Sequence, residues 1–99
     1  MLKHFILIKY QEATPQNHKD DFCQKMLALK SSIAEIIEME IGMDILHDDR
    51  SWDVILIMQF TSIDDLRYYQ KHPSHQAAMA FNAPFVAKVA SLDYESPVV

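Results

Sequence analysis

The sequence predicts an α+β fold, a ferredoxin-like βαββαβ sandwich with an antiparallel four-stranded sheet. Three observations carry this expectation. Residues 4–10 and 52–60 are apolar on both faces at period two, the pattern of strands covered on both sides. Residues 38–45 alternate apolar with polar, the pattern of a half-exposed strand. Two stretches of helical spacing fall between the strands, giving the order strand, helix, strand, strand, helix, strand. In that topology the first and third strands are central, and those are the two strands that are apolar on both faces.

In the first strand His4, Ile6, Ile8 and Tyr10 share one face, and Phe5 and Leu7 the other. Thr14-Pro15 reads as an N-cap followed by proline at the first helical position. Phe22, Met26, Leu29 and Ile33 then form a core stripe, widened by Cys23 and Leu27, while His18 falls on the polar side and reads as solvated. Residues 38–45 set Met39, Ile41, Met43 and Ile45 inward against Glu38, Glu40, Gly42 and Asp44. That acidic side discourages edge-to-edge aggregation. A polar turn, His47-Asp48-Asp49-Arg50-Ser51, leads into the third strand, where Trp52, Val54, Leu56, Met58 and Phe60 share a face. Ser62-Ile63-Asp64-Asp65 is a capping-box variant with Asp in place of Glu or Gln. Pro73 disfavours helical geometry at His72, so this helix stops near Lys71, and Pro73 starts a second short helix that Pro84 interrupts. Residues 89–95 form the last strand, and 96–99 a tail.

Ninety-nine residues make one domain, 1–99. An apolar share of 49% with 23% charged residues is that of an ordinary globular chain. A net charge of −5 without a basic cluster argues against nucleic acid and against an anionic membrane surface. The single cysteine, Cys23, excludes an internal disulfide and a Cys-rich zinc site. It reads as a small apolar core filler, and a free thiol without a signal peptide points to the cytoplasm. One glycine, Gly42, leaves no phosphate-cradling loop and no dinucleotide fingerprint, so no cofactor is expected.

Helices in one layer cover only one face of such a sheet. Phe5, Leu7, Ile55 and Ile57 on the other face need cover, and a second copy of the chain supplies it in an isologous homodimer.

The densest chemistry lies in Tyr69-Gln70-Lys71-His72-Pro73-Ser74-His75, which gathers a phenol and two imidazoles around a proline. With this stretch, His4 on the first strand, Glu40-Ile41-Gly42 on the second and Asp93-Tyr94 on the last, the chain resembles the stress-responsive A/B barrel (Dabb) family. The resemblance runs from Lys3-His4 to Leu92-Asp93-Tyr94-Glu95, and its most specific element is Tyr69-x-x-His72-Pro73-x-His75. It implies a small dimeric α/β barrel. The family includes a plant polyketide cyclase that closes a linear β-polyketone by a cofactor-free aldol reaction, and its active tyrosine and histidine match Tyr69 and His75 here. His4 matches a strand-one histidine. Ile6 and Phe22 match pocket residues of the same type, and Ile8 and Leu56 are conservative replacements. Cys23, Met26, Ala78 and Val86 stand where the cyclase carries aromatic residues, so the pocket wall differs and the substrate does not carry over. Family membership fixes fold better than activity.

A pocket between sheet and helices would gather His4, Ile6, Ile8, Phe22, Met26, Leu56, Met58, Tyr69 and His75, with His72 beside it, around a small apolar or carbonyl ligand. There Tyr69 donates a hydrogen bond to a carbonyl, and His75, kept neutral near a helix N-terminus, acts as base. The same residues also have plain structural uses. His72 can cap the next turn, His75 can bond a strand carbonyl, and Tyr69 can fill the core. His72 and His75 do not make a metal site, because Pro73 breaks the helix that would align them and no third ligand has suitable spacing. Three classes remain open: a cofactor-free lyase, cyclase or isomerase; a non-catalytic stress or ligand-binding barrel; and a partner-binding module. They differ in whether a cavity exists and whether Tyr69 and His75 are free inside it.

Overall fold

The computed structural model describes residues 1–97. The strands are β1 (Leu2–Tyr10), β2 (Glu38–Met43), β3 (Val54–Phe60) and β4 (Val86–Glu95). The helices are α1 (Gln16–Ser32), α2 (Ile63–Lys71) and α3 (Pro73–Asn82), with a 3₁₀ turn at Ala83–Phe85. The sheet order is β2-β3-β1-β4, with every pair antiparallel. β1 and β3 are thus central, as their two apolar faces require. Of the expected tail, Ser96 donates its backbone N–H to the Met1 carbonyl at 2.9 Å, while Val98 and Val99 lie outside the described residues. No described helix is long and apolar enough to cross a membrane.

The face of β1 and β3 toward the helices is the core. Leu2, Ile8, Val54, Leu56, Met58 and Phe60 are buried there, with Phe22, Met26, Leu29 and Ile33 of the α1 side against them. Ser62 caps α2 by accepting from the Asp65 N–H at 3.2 Å. The α2 helix ends at Lys71, and Pro73 opens α3 with His72 extended between them, as the steric rule before proline demands.

The opposite face carries Phe5 and Leu7 of β1, Ile55 and Ile57 of β3 and Leu92 of β4. The first four are only half-buried and Leu92 is exposed, although Phe5 stacks on Tyr94 at 5.7 Å. No element of the described chain covers this side.

Five expectations from sequence are corrected. His18 is buried, not solvated, because Phe81 and Phe85 pack on its ring at centroid distances of 4.6 and 3.9 Å. Leu27 is exposed, since the stripe of α1 is filled by Phe22, Cys23, Met26 and Leu29. Thr14 does not cap α1. Its hydroxyl donates instead to the Phe85 carbonyl at 3.3 Å, and Pro15 takes the cap position without a side-chain bond. Ile45 is exposed rather than inward, because β2 ends at Met43 and His47 turns the chain with φ 56° while its N–H bonds the Asp44 carboxylate. At the start of β3 the Asp53 side chain takes the Tyr10 N–H at 2.7 Å in place of a backbone partner, so the regular strand begins only at Val54.

Candidate functional site

A cavity of about 460 Å³ lies between the β1–β4 side of the sheet and the helices. Its floor is His4, Ile6 and Ile8 of β1 with Leu56 of β3, and Tyr69 and Gln70 of α2 form one wall. His75, Met79 and Asn82 of α3 form another, with Val86 and Val89 of β4 at the margin. The lining is mostly apolar with a few convergent polar groups, the usual make-up of a small-molecule site.

The proline between α2 and α3 sets the reactive corner. His72 is spent on the kink, its ring Nδ1 accepting from the Ser74 N–H at 3.1 Å as the N-cap of α3. His75, on the first turn of α3, lies with its Nδ1 2.9 Å from the Gln70 carbonyl oxygen. A carbonyl only accepts, so Nδ1 carries the proton and Nε2 keeps its lone pair. Burial holds the His75 pKa below its ordinary value; the Gln70 bond opposes this and nearby His4 reinforces it. His75 is therefore a neutral base at neutral pH.

Tyr69 packs its ring on His75 with centroids 4.5 Å apart and on Phe60 at 5.3 Å. The residue is 1% exposed, and burial alone pushes its hydroxyl pKa up. The phenol is thus a proton donor rather than a phenolate. Among the described residues no side-chain or backbone group bonds this hydroxyl, and no fully enclosed side-chain N or O atom lacks a partner. The hydroxyl consequently borders the open cavity that Tyr69 lines.

His4 completes the corner. Its Nδ1 is paired with the Asp93 carboxylate directly across the β1–β4 ladder, which orients the ring and leaves Nε2 free. Asp93 was visible in the sequence as part of a family pattern, but not as the partner of His4, because cross-strand register is set by pairing. Asn82 was missed as well. The available signal was its spacing from His75, seven positions along one helix.

His4, Ile6, Ile8, Leu56, Tyr69 and His75 line one cavity. Phe22, Met26 and Met58, also expected at the wall, instead sit wholly inside the core, at 0%, 0% and 1% exposure. Their faces are those turned toward the helix–sheet seam, which closes without leaving space there. His72 does not border the cavity, since its ring is the cap of α3. Among the described residues no group of three or more His, Cys, Asp or Glu is placed to hold a metal ion.

The model of the Stress responsive A/B Barrel Domain, Dabb, matches residues 2–96. The chain belongs to this family. No curated protein matches the Dabb chain by sequence. Among solved structures, a dimeric protein of unknown function and ferredoxin-like fold from Bacteroides fragilis is 29% identical, with a TM-score of 0.86 over 96% of this chain and 95% of that one. A hydroxynitrile lyase from Passiflora edulis is 20% identical, with a TM-score of 0.82 over 94% and 90%. A Dabb family protein from Mesorhizobium loti is 18% identical, with a TM-score of 0.79 over 98% and 97%. The last two likenesses are of fold.

Proposed function

We propose that this Dabb domain binds a small neutral carbonyl compound and catalyses proton transfer beside the carbonyl, as a cofactor-independent lyase, cyclase or isomerase. One observation carries the reading: among the described residues the Tyr69 hydroxyl has no hydrogen-bond partner, and Tyr69 lines the same cavity as His75, whose Nδ1 is tied back to Gln70. A buried phenol left unbonded costs stability, and a ligand oxygen would relieve that cost. In the reaction His75 Nε2 takes a proton from the carbon next to the carbonyl. Tyr69 donates its hydrogen bond to the carbonyl oxygen as negative charge builds there. The proton returns from His75 when the new bond has formed or the old one has broken. His4, held by Asp93, offers a second imidazole at the same corner and helps to keep His75 uncharged. That a protein of the same fold is a hydroxynitrile lyase, from Passiflora edulis, is in keeping with a lyase reading, though at 20% identity it supports no residue role.

We further propose that the working form is a homodimer closed through the uncovered sheet face. The apolar Phe5, Leu7, Ile55, Ile57 and Leu92 supply the surface, and the Bacteroides fragilis relative is described as dimeric. A light-scattering mass of one protomer at micromolar concentration would refute this part.

The enzymatic reading is tested by solvent-deuterium exchange at the methyl ketone of para-ethylacetophenone, followed by NMR. Faster exchange than in buffer, lost in both Tyr69→Phe and His75→Ala, supports it. Exchange equal in the wild type and both variants refutes it. A non-catalytic carrier would bind the ketone without accelerating exchange.

A further inference from the structure

We propose that Asn82 is a second, pre-aimed anchor of the cavity, and that the ligand is a neutral compound with a second carbonyl oxygen at the end away from the reacting one. This inference rests on the ligand-binding reading of the cavity given above.

The side-chain amide of Asn82 is pinned from one side. The buried Tyr10 hydroxyl donates to Asn82 Oδ1 at 2.7 Å, and His18 Nε2 lies 3.0 Å from the same oxygen. Tyr10 has no other acceptor among the described side-chain bonds, so the amide presents its oxygen to it, and His18 carries its proton on Nε2. Neither donor is free to turn away. The His18 ring lies against Phe81 and Phe85, and its edge meets Tyr10 at 5.9 Å. With its oxygen fixed, the amide turns its NH₂ the opposite way.

That NH₂ has no acceptor among the described residues, although Asn82 is only 3% exposed. Among the described residues no fully enclosed side-chain nitrogen or oxygen lacks a partner, so the nitrogen touches open space, and the space Asn82 borders is the cavity. A buried amide held by its oxygen with its donors unspent is a built hydrogen-bond site.

Its position gives the spacing. His75, Met79 and Asn82 are at i, i+4 and i+7 of α3 and all line the cavity. Seven residues return to nearly the same helix face about 10 Å along the axis. The wall thus runs from a polar corner through an apolar step to a polar end. A donor calls for an acceptor oxygen. Among the described residues no Lys or Arg lines the cavity, so a carboxylate would be desolvated without a Lys or Arg countercharge, and an uncharged carbonyl fits instead.

Calorimetric titration with two rigid ketones of matched shape tests this. Para-diacetylbenzene carries a carbonyl at each end, and para-ethylacetophenone carries one. The wild type is expected to bind the diketone roughly tenfold more tightly, the scale of one well-placed hydrogen bond. Asn82→Leu removes the donor. Asn82→Asp keeps an oxygen for Tyr10 and His18 and so protects the fold, but turns an acceptor to the ligand. Both variants should lower diketone affinity to that of the mono-ketone. Equal affinity of the wild type for the two ketones, or a preference that survives in Asn82→Asp, overturns the role of Asn82. If Tyr69→Phe weakens both ketones while neither Asn82 variant changes the preference, Asn82 alone is refuted and the cavity reading stands. If neither ketone binds at millimolar concentration, both fall together.

Discussion

Two buried tyrosines, Tyr10 and Tyr69, each lie beside a histidine ring, the first next to His18 and the second next to His75. Tyr10 is satisfied from within. Its hydroxyl donates to Asn82, and burial pushes its pKa up to about 12. Tyr69 has only burial acting on it, with no bond to its hydroxyl among the described residues. The histidines divide in the same way. His18 is clamped between aromatic rings and spends Nε2 on Asn82, while His75 spends Nδ1 on a backbone carbonyl and has no partner for Nε2 among the described residues. Polar groups that close on each other hold structure; polar groups left open toward a cavity are available for chemistry.

The sharpest test of this contrast is catalytic. His75→Ala or Tyr69→Phe should lower ketone exchange by about 10²–10⁴-fold, the range for a positioned acid or base, whereas Tyr10→Phe should cost far less. Equal losses at the two tyrosines would erase the distinction. Next in size is the floor. Leu56 is 2% exposed and lies beneath the cavity on central β3, so Leu56→Ala should cost about 2–5 kcal/mol in chemical denaturation. A negligible loss would mean that the sheet is not the shared support of both tyrosines.

A smaller effect separates the tyrosines directly. Tyr10→Phe removes a made hydrogen bond and leaves the Asn82 oxygen short of a partner, costing about 1 kcal/mol or somewhat more. Tyr69→Phe removes an unmade one and should leave denaturation midpoints unchanged or raised. The reverse order would show that Tyr69 is the structural tyrosine.

The smallest effect is in pH. The His75 pKa is lower in the folded state than its unfolded value of about 6.5. Between those two values the unfolded chain binds a proton that the folded chain does not. The contribution of His75 is therefore complete above the unfolded pKa and is lost as pH falls through the folded one. Denaturation midpoints of the wild type relative to His75→Gln should converge on acidification below that value. A stability difference that grows there would mean that His75 is protonated in the fold.

The element order was legible because its signals are local. Period-two apolarity marked β1 and β3, and Ser62 and Pro73 marked helix ends through sterics and capping that act within a few residues. The corner of Tyr69 and His75 was legible for the same reason, since both flank one proline kink. His18 was misread because a polar ring on a helix is judged by its neighbours in sequence, and its burial comes from Phe81 and Phe85, more than sixty positions away.

By itself, then, the sequence determined the strands and helices, the topology they can form, the bare apolar sheet face and the chemical character of the kink. Tertiary structure alone decided that Asp93 holds His4, that Asn82 is pinned by Tyr10 and His18, and that Phe22, Met26 and Met58 fill core rather than line a cavity. The physical reason is range. Propensity, capping and periodicity are written in adjacent residues, whereas hydrogen-bond partners and empty space exist only after distant segments have packed.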